Sequence, residues 1–287
     1  MTKLHVKNGY FYHPVLPVSH FSFHILHLLL DHKAKKAFGQ HFLKDMDVVR
    51  QTVQALPEPG NFTVVEIGPG RGVLTAPLLE RYADNFYAVE VDDDLIPVLQ
   101  KQFPALGNRL IHQDFLKFDW RVLPEGDIIV VGNFPYNISS QILFTVLDEK
   151  DRVIQVVGMF QKEVGVRVIS GPGKKDYGIL SVLLAAWYKM SLICHIPPES
   201  FSPPPKVDSV VINLQRNDRK TLPCNQRVFK QVVKAAFNQR RKMLRNSLSS
   251  FQPNEETLVT DYFTRRPEQM SLEDFFDVTQ MLEKKSE

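Results

Sequence analysis

The stretch that decides the fold is Ile128-Ile129-Val130-Val131-Gly132-Asn133-Phe134-Pro135-Tyr136. Its four apolar residues, followed by Gly-Asn and then Pro, predict a buried strand that stops at a turn. A polar amide therefore lies at the carboxyl end of a strand, where open α/β sheets bind their ligands. Asn and Pro also make ordinary turns, so this stretch alone leaves a plain connection open.

An earlier strand is followed by a glycine-rich turn. Phe62–Ile67 reads as a strand, Gly68-Pro69-Gly70-Arg71-Gly72 as the turn, and a helix is expected to begin near Leu74. This order lets the backbone approach a nucleotide-like ligand and directs helix amides at it. The spacing Gly-x-Gly-x-Gly differs from the Gly-x-Gly-x-x-Gly of dinucleotide binders, which makes a dehydrogenase a poor interpretation.

Two further strands also end in acidic residues. The strand Phe86–Val91 contains Glu90, 22 positions after Gly68. An acid at about that distance contacts ribose hydroxyls in doubly wound folds, so Glu90 is a ribose-binding candidate. We expect the neighbouring acids 92–94 to be solvated turn charges. The short strand within 109–115 ends at Asp114, where an acid or its neighbouring amide can bond an adenine edge.

Composition describes an ordinary globular chain with an uneven charge distribution. The 287 residues are 44% hydrophobic, which is enough for one large domain or two unequal ones. Residues 216–250 hold ten Lys or Arg against one acid, a net +9 that leaves −6 for the rest of a chain whose formal charge is +3. This segment predicts a polyanion-binding face. Two cysteines, Cys194 and Cys224, cannot build a disulfide framework and favour a reducing, cytoplasmic setting.

The first 32 residues differ from the rest of the chain. They contain six of the nine histidines and an apolar patch, Phe21–Leu30, that is too short to span a membrane. We expect a disordered extension there, and no metal site, because no carboxylate or Cys supports the histidines. Residues 38–43 are expected to form a loop, followed by a helix capped by Asp45.

The strand-end constellation resembles the class I S-adenosylmethionine methyltransferases, and most closely the rRNA adenine N6,N6-dimethyltransferases of the KsgA type, which modify small-subunit rRNA. The resemblance covers about residues 33–287. It rests on six blocks of sequence: Phe38–Leu43, Val65–Gly72, Asn133–Tyr136, Gln161–Val164, Phe201–Ser209 and Ala236–Arg245.

The resemblance implies a Rossmann-like α/β methyltransferase domain over residues 33–216 and a small helical rRNA-binding domain over 217–287. The implied reaction is the transfer of two methyl groups from S-adenosyl-L-methionine to N6 of each of two adjacent adenosines near the 3′ end of small-subunit rRNA. The implied setting is a pre-ribosomal particle in the cytoplasm, with the protein acting as a monomer. No protein partner can be inferred.

It also implies roles for individual residues. Many members have Asn where this chain has His41, and an imidazole replaces only part of the hydrogen bonding of an amide. The cofactor would be bound by His41, Leu43, Glu66, Gly68, Gly70, Glu90, Asp114 and Asn133. RNA would be bound by Phe201, Arg240, Arg241, Lys242 and Arg245. Core packing is an equally good interpretation of Phe201.

The chemistry explains the tetrapeptide 133–136. An adenine amine is a poor nucleophile because its lone pair is delocalised into the ring, whereas the methyl sulfonium is strongly activated. Catalysis therefore needs alignment and hydrogen-bond acceptors for the amine protons. The Asn133 side-chain oxygen and the Phe134 carbonyl can be those acceptors, Pro135 fixes the backbone, and Tyr136 can stack on an extruded base.

Two other functions are compatible with the sequence. A non-catalytic ribosome-assembly factor would keep the fold and bind RNA, but the intact set of strand-end groups argues against it. A large-subunit rRNA methyltransferase of the resistance type shares the chemistry, and the blocks at 201–209 and 236–245 favour the small-subunit type instead.

Overall fold

The apolar run that ends at Asn133 forms the strand Asp127–Asn133, and this strand is buried on both faces. Ile128 and Val130 belong to one apolar core, and Ile129 and Val131 belong to a second core on the other face. A strand covered on both sides needs apolar residues at successive positions, which explains why the sequence shows a continuous apolar run.

The computed structural model describes Lys35 and residues 39–283. The strands are β1 Phe42–Leu43, β2 Phe62–Ile67, β3 Phe86–Glu90, β4 Leu110–His112, β5 Asp127–Asn133, β6 Val153–Gln161, β7 Tyr188–Ile196, β8 Phe201–Ser202 and β9 Ser209–Arg216. The helices are α1 Met46–Gln54, α2 Thr75–Tyr82, α3 Leu95–Gln102, α4 Ser139–Asp148, α5 Lys162–Ile169, α6 Ile179–Ala185, α7 Gln226–Asn238, α8 Leu244–Ser247, α9 Glu255–Leu258, α10 Asp261–Thr264 and α11 Leu272–Glu283. The predictions for residues 1–32 lie outside the described residues.

Seven strands form one sheet in the order β4-β3-β2-β5-β6-β9-β7. The first five are parallel, and β9 is antiparallel to both of its neighbours. From β2 the chain builds outward through β3 and β4, then returns to add β5 and β6 on the other side. The reversal lies between β2 and β5. In a doubly wound sheet the ligand crevice opens at this point, outside the carboxyl ends of the strands.

Helices cover both faces of the sheet. One apolar core packs α1, α2 and α3 against β2, β3 and β5, and the other packs α4, α6, α7 and α11. Within α7 the buried residues are Phe229, Val232, Val233 and Ala236, while Val228 and Phe237 are partly buried against the same core. These residues form one apolar stripe along α7 that packs against this core.

The residues around the predicted domain boundary are held by hydrogen bonds. The guanidinium of Arg216 donates to the carbonyl oxygens of Lys150 at 3.1 Å, Trp187 at 3.0 Å and Arg219 at 2.9 Å. These bonds tie the end of β9 and the following residues to the end of α4 and to the start of β7. The division of the chain into domains at residues 216 and 217 stays a prediction.

The opening block departs from the predicted loop. Phe42 and Leu43 form β1, which pairs antiparallel with β8, so that Phe42 lies opposite Ser202 and Leu43 opposite Phe201. Two blocks that are far apart in sequence therefore join as a small ribbon. The helix that follows is capped as predicted, because the Asp45 carboxylate accepts hydrogen bonds from the backbone amides of Asp47 and Val48. Within the described part of the chain, no helix is long and apolar enough to cross a membrane.

Candidate active site

A pocket lies at the switch point between β2 and β5. Three segments line it: residues 39–43, which include β1, residues of the glycine-rich turn and the start of α2 within 66–74, and the tetrapeptide 133–136. It encloses about 530 Å³ of empty space, including its open mouth. The structure thus gathers His41, Leu43, Glu66, Gly68, Gly70 and Asn133–Tyr136 around one cavity.

The glycine-rich turn requires residues without a side chain. Gly68 and Gly70 have φ values of +65° and +57°, in the left-handed region that L side chains rarely adopt. A Cβ on Gly70 would also lie 3.2 Å from the ring of Phe42. The two glycines therefore let the backbone curve around the pocket while the opening segment packs closely against it.

Glu90 holds the glycine turn in place. Its carboxylate is buried and accepts the amide of Gly70 at 3.1 Å and those of Val91 and Asp92 at 2.9 Å each. Burial raises the pKa of Glu90, and the three amide bonds oppose that rise. The structure therefore brings Glu90 to the glycine turn, although it does not line the pocket itself. Its predicted ribose contact stays a prediction.

Asp114 follows β4 and acts locally as a cap. Its carboxylate accepts the amide of Leu116 at 3.0 Å at the start of a short 3₁₀ turn. It does not line the pocket, and its predicted contact with an adenine edge also stays a prediction.

Glu66 is a buried acid that lines the pocket. Its carboxyl is 1% exposed and accepts the hydroxyl of Thr75 at 2.6 Å. The pKa of Glu66 is raised to about 8. Burial is the largest cause, the Thr75 bond opposes the rise, and the nearby charge of Glu90 adds to it. No cationic side chain of the described chain pairs with it. Glu66 is suited to a ligand that brings its own positive charge.

Asn133 is held by a backbone acceptor. Its Nδ2 donates to the carbonyl oxygen of His41 at 2.7 Å. This bond orients the side-chain amide so that its nitrogen faces residues 39–43. Phe134 anchors the turn, because its ring is 1% exposed and packs edge-on against Phe160 at 5.2 Å and 83°. The side chains at 133 and 134 thus hold the backbone of the tetrapeptide in place at the carboxyl end of β5.

Tyr136 is held from two sides. Its hydroxyl shares a 2.6 Å hydrogen bond with Ser209 Oγ, and the ring of His41 stacks on it at 5.4 Å and 26°. The Nδ1 of His41 in turn contacts the carbonyl oxygen of Pro203 at 2.8 Å. Among the described residues no second ring stacks on Tyr136. His41 thus faces the tetrapeptide as well as the pocket, and Ser209 was not singled out from the sequence.

One expectation about the acids after β3 was wrong. Asp92 is fully buried and accepts hydrogen bonds from Lys35 Nζ and from Gln40 Nε2, the latter at 2.8 Å. Burial alone raises the pKa of Asp92, but these bonds outweigh it and hold the pKa below its ordinary value. Asp93 and Asp94 are exposed, as expected. Asp92 therefore fastens the opening segment over the pocket.

The candidate RNA-binding residues fall into two groups. Phe201 is 1% exposed and belongs to the apolar core. Its ring is therefore not accessible to an RNA base in this structure, and it packs within the core instead. Arg241, Lys242 and Arg245 are exposed in and just after the turn that follows α7. Arg240 instead pairs with Glu268 at 2.9 Å.

Comparison with known proteins decides the family. A model of the ribosomal RNA adenine dimethylase family matches residues 31–284. The chain belongs to this family. It is 48% identical over 256 residues to ribosomal RNA small subunit methyltransferase A from Parabacteroides distasonis, covering 88% of this chain and 95% of the relative. It is 47% identical over 251 residues to the protein of that name from Cytophaga hutchinsonii, covering 87% and 97%.

Two solved structures of similar proteins show the fold. A dimethyladenosine transferase from Plasmodium falciparum superposes with a TM-score of 0.74 at 24% identity, covering 86% of this chain and 98% of that one. The 23S rRNA methyltransferase ErmE gives 0.61 at 24% identity, covering 83% and 99%. The predicted class I methyltransferase fold is confirmed, and membership of the dimethylase family confirms an rRNA adenine dimethyltransferase that uses S-adenosylmethionine.

The pocket of this dimethylase fits that cofactor. The glycine turn offers a backbone cradle that a Cβ would fill, and Glu66 offers a buried acid without a cationic partner in the described chain. S-adenosylmethionine carries both an ammonium and a sulfonium, so a buried carboxyl is a suitable neighbour. Residues 39–43, Glu66, Gly68 and Gly70 would hold it. The roles of the individual residues stay predictions.

Replacing Glu66 by Gln is expected to flatten the pH dependence of stability. Between the ordinary carboxyl pKa of 4.5 and about 8, the folded dimethylase keeps a proton that the unfolded chain has lost. The folded state then binds more protons, so its stability falls as pH rises through this window. Gln keeps a partner for the Thr75 hydroxyl and cannot ionise.

The measurement is the melting temperature of the wild-type and variant proteins across that pH window. The gap between them should shift in favour of the variant as pH rises. Titrating groups that do not interact with Glu66 are common to both proteins and cancel in the difference. A gap that stays constant with pH would contradict the proposed protonation of Glu66.

Proposed function

We propose that this protein transfers two methyl groups from S-adenosylmethionine to N6 of each of two adjacent adenosines near the 3′ end of small-subunit rRNA. The observation that carries the chemistry is the orientation of Asn133. Its Nδ2 is used by the His41 carbonyl, which leaves Oδ1 as an acceptor beside the pocket. The choice of subunit is supported by the two relatives above, both named small subunit methyltransferase A.

The residues of the tetrapeptide act by alignment and hydrogen bonding. When bound, S-adenosylmethionine supplies an activated methyl group, so the protein needs no strong base. The Oδ1 of Asn133 and the Phe134 carbonyl accept the two protons of the adenine amine, which favours a pyramidal nitrogen with a localised lone pair. Pro135 limits the backbone freedom of the acceptor next to it.

Tyr136 provides the surface on which the target base stacks. Its ring is held by Ser209 at the hydroxyl and by His41 at one face, so it is positioned before the base arrives. A base taken out of its stack loses a few kcal/mol of stacking and pairing, and stacking on an aromatic ring returns about 1–3 kcal/mol. A rigid Tyr136 thus offsets much of the cost of extracting the base.

The wider setting belongs to the same proposal. The substrate is small-subunit rRNA within a pre-ribosomal particle, the reaction takes place in the cytoplasm, and the protein acts as a monomer. Both cysteines of the described chain are free thiols, in keeping with a reducing compartment. The fold shared with a 23S rRNA methyltransferase makes large-subunit rRNA the competing substrate.

The test is incubation of the protein with labelled S-adenosylmethionine and either unmethylated small subunits or large-subunit rRNA, followed by nucleoside analysis. We expect label in N6,N6-dimethyladenosine from the small subunit. Label confined to large-subunit rRNA would transfer the proposal to the competing substrate. If neither RNA is labelled while RNA is still bound, a non-catalytic assembly role would replace the enzymatic one.

A further inference from the structure

A loop outside every predicted RNA-binding segment lies beside the basic turn after α7. We propose that Lys174 and Lys175 join Arg241 and Lys242 in one surface that binds rRNA phosphates, and that Arg240 clasps the two segments together. The proposal rests on the proposed function, since it adds a second contact region for the same RNA.

The loop between α5 and α6 contains Gly171-Pro172-Gly173-Lys174-Lys175, and all five residues are exposed. It lies 66 residues before Arg240 in sequence, so it was not part of the +9 segment. Glycine and proline here break the helix and project the two lysines from the surface. The loop is therefore a second, separate source of positive charge.

Arg240 fastens this loop to the C-terminal helices. Its Nη2 donates to the carbonyl oxygen of Lys174 at 3.2 Å, and its Nε donates to Glu268 Oε2 at 2.9 Å. The backbone amide of Gly173 also donates to the carbonyl oxygen of Glu268 at 2.7 Å. Two of the five N–H donors of Arg240 are thus bonded within the protein, one to each side of the contact, which suits it to the role of a clasp.

Ring packing beside the clasp strengthens the contact. Tyr177, at the end of the loop, meets Phe237 of α7 edge-on at 5.7 Å and 77°. Tyr177 is 3% exposed, so this contact is part of the core. The loop is consequently held at a fixed place beside the turn that carries Arg241 and Lys242.

The charges of the surface are not neutralised within the described chain. Lys174, Lys175, Arg241 and Lys242 form no ion pair with any described residue, whereas Arg240 neutralises Glu268. Asp176 follows the two lysines and is the nearby acid in sequence. Four free cations against one acid make a surface suited to a polyanion, and lysines serve as point charges for phosphate.

A groove lies next to the loop in sequence. It is lined by Lys162, Glu163, Val166, Asp176, Val207 and Asp208. This lining carries three carboxylates against one lysine, so the phosphate contacts are assigned to the four cations and not to the groove. The occupant that the four cations favour is rRNA, the polyanion that the proposed function already brings to the protein, in preference to an acidic protein segment.

The test measures the dissociation constant for a small-subunit rRNA fragment at several salt concentrations. Each phosphate contact contributes about 0.7 to 0.9 to the slope of log affinity against log salt. The double variant Lys174→Gln/Lys175→Gln should therefore lose about 1.4 to 1.8 from the slope. The variant Arg241→Gln/Lys242→Gln should lose a similar amount, again about 0.7 to 0.9 per charge.

The matched control is Lys101→Gln/Lys189→Gln, which removes the same number of exposed lysines. Lys101 lies in the last turn of α3, and Lys189 near the start of β7, so both lie towards the amino ends of the parallel strands. The control should keep the wild-type slope. A slope for Lys174→Gln/Lys175→Gln equal to that of the control would overturn the proposal. The proposal would also be overturned if this double variant bound an acidic peptide more weakly than the wild-type protein and bound rRNA equally well.

The clasp has a test of its own. Arg240→Gln should speed trypsin cleavage after Lys174 or Lys175 relative to Arg241→Gln. It loses the guanidinium bonds to the Lys174 carbonyl and to Glu268, whereas the bond from the Gly173 amide to Glu268 remains in both variants. Equal cleavage rates would overturn the role of Arg240. Failure of the proposed function can be distinguished from failure of this proposal. A wild-type protein that forms no dimethyladenosine would refute the enzymatic function. An active wild-type protein whose lysine variants keep the wild-type salt slope would refute the surface alone.

Discussion

Replacing Asn133 by Ala is expected to reduce methyl transfer by about 10²- to 10³-fold, the typical cost of removing one preorganised hydrogen-bonding group from a transition state. Affinity for S-adenosylmethionine should change little, because the glycine turn and Glu66 remain in place. The measurement is the single-turnover rate at saturating cofactor, together with the cofactor dissociation constant. The rate should fall and the dissociation constant should stay near its wild-type value.

Asn133→Asp separates the two functions of the side chain. Asp keeps an acceptor oxygen but cannot donate to the His41 carbonyl, which lies 2.7 Å from Nδ2 in the wild-type protein. We expect its rate to lie between those of wild type and Asn133→Ala. Equal loss of rate and of cofactor affinity in the Ala variant would show that Asn133 serves cofactor binding or folding instead of the adenine amine.

Replacing Gly158 by Ala is expected to damage both stability and catalysis. A Cβ at this position on β6 would lie 2.3 Å from the ring of Phe134 and 2.8 Å from that of Phe160. Overpacking of this kind costs about 1–3 kcal/mol. The ring of Phe134 must move, and a displacement of about 1 Å at a reacting group can cost about 10²-fold in rate. Thermal melting and single-turnover methyl transfer measure the two effects.

Gly171→Ala is the matched control for this substitution. Nothing lies within 4 Å of a Cβ built on Gly171, and its φ is not in the left-handed region. It should therefore melt and react like the wild-type protein. If Gly158→Ala behaves in the same way as this control, the anchoring of the tetrapeptide by Phe134 is not needed for the position of its carbonyl.

Much of the fold was predictable because strand ends have a local signature. The run before Asn133 is apolar at successive positions, and the glycines of the turn 68–72 need a conformation that other residues avoid. Each of these signals lies within a few residues. The pocket could be predicted for the same reason, since parallel strands bring their carboxyl ends to one edge of a sheet.

Contacts between distant segments could not be predicted in this way. Positions 92, 93 and 94 are all Asp, so local sequence does not distinguish them. Asp92 alone of the three is buried, where it accepts hydrogen bonds from Lys35 and Gln40. Likewise, a Phe before a Pro-rich bend can face solvent or the core. The pairing of β1 with β8 placed Phe201 in the core.

The charge run did not distinguish Arg240 from Arg241, and the RNA-binding role of this region stays a prediction. Arg240 has the same chemistry as Arg241, and their separation into a clasped and an exposed residue depends on Glu268 and on a loop 66 positions earlier. The pair Lys174-Lys175 carried a local signal, two cations in a glycine-rich loop. Its significance emerged once the fold placed it beside the turn after α7.

The most direct test of the account is mass spectrometry of the 3′-terminal fragment of small-subunit rRNA after incubation of unmethylated small subunits with the protein and S-adenosylmethionine. We expect two adjacent adenosines in this fragment, each carrying two methyl groups on N6. In the time that the wild-type protein needs to complete the reaction, Asn133→Ala should leave the fragment largely unmodified. A fragment left unmodified by an intact protein that binds the cofactor would contradict the account.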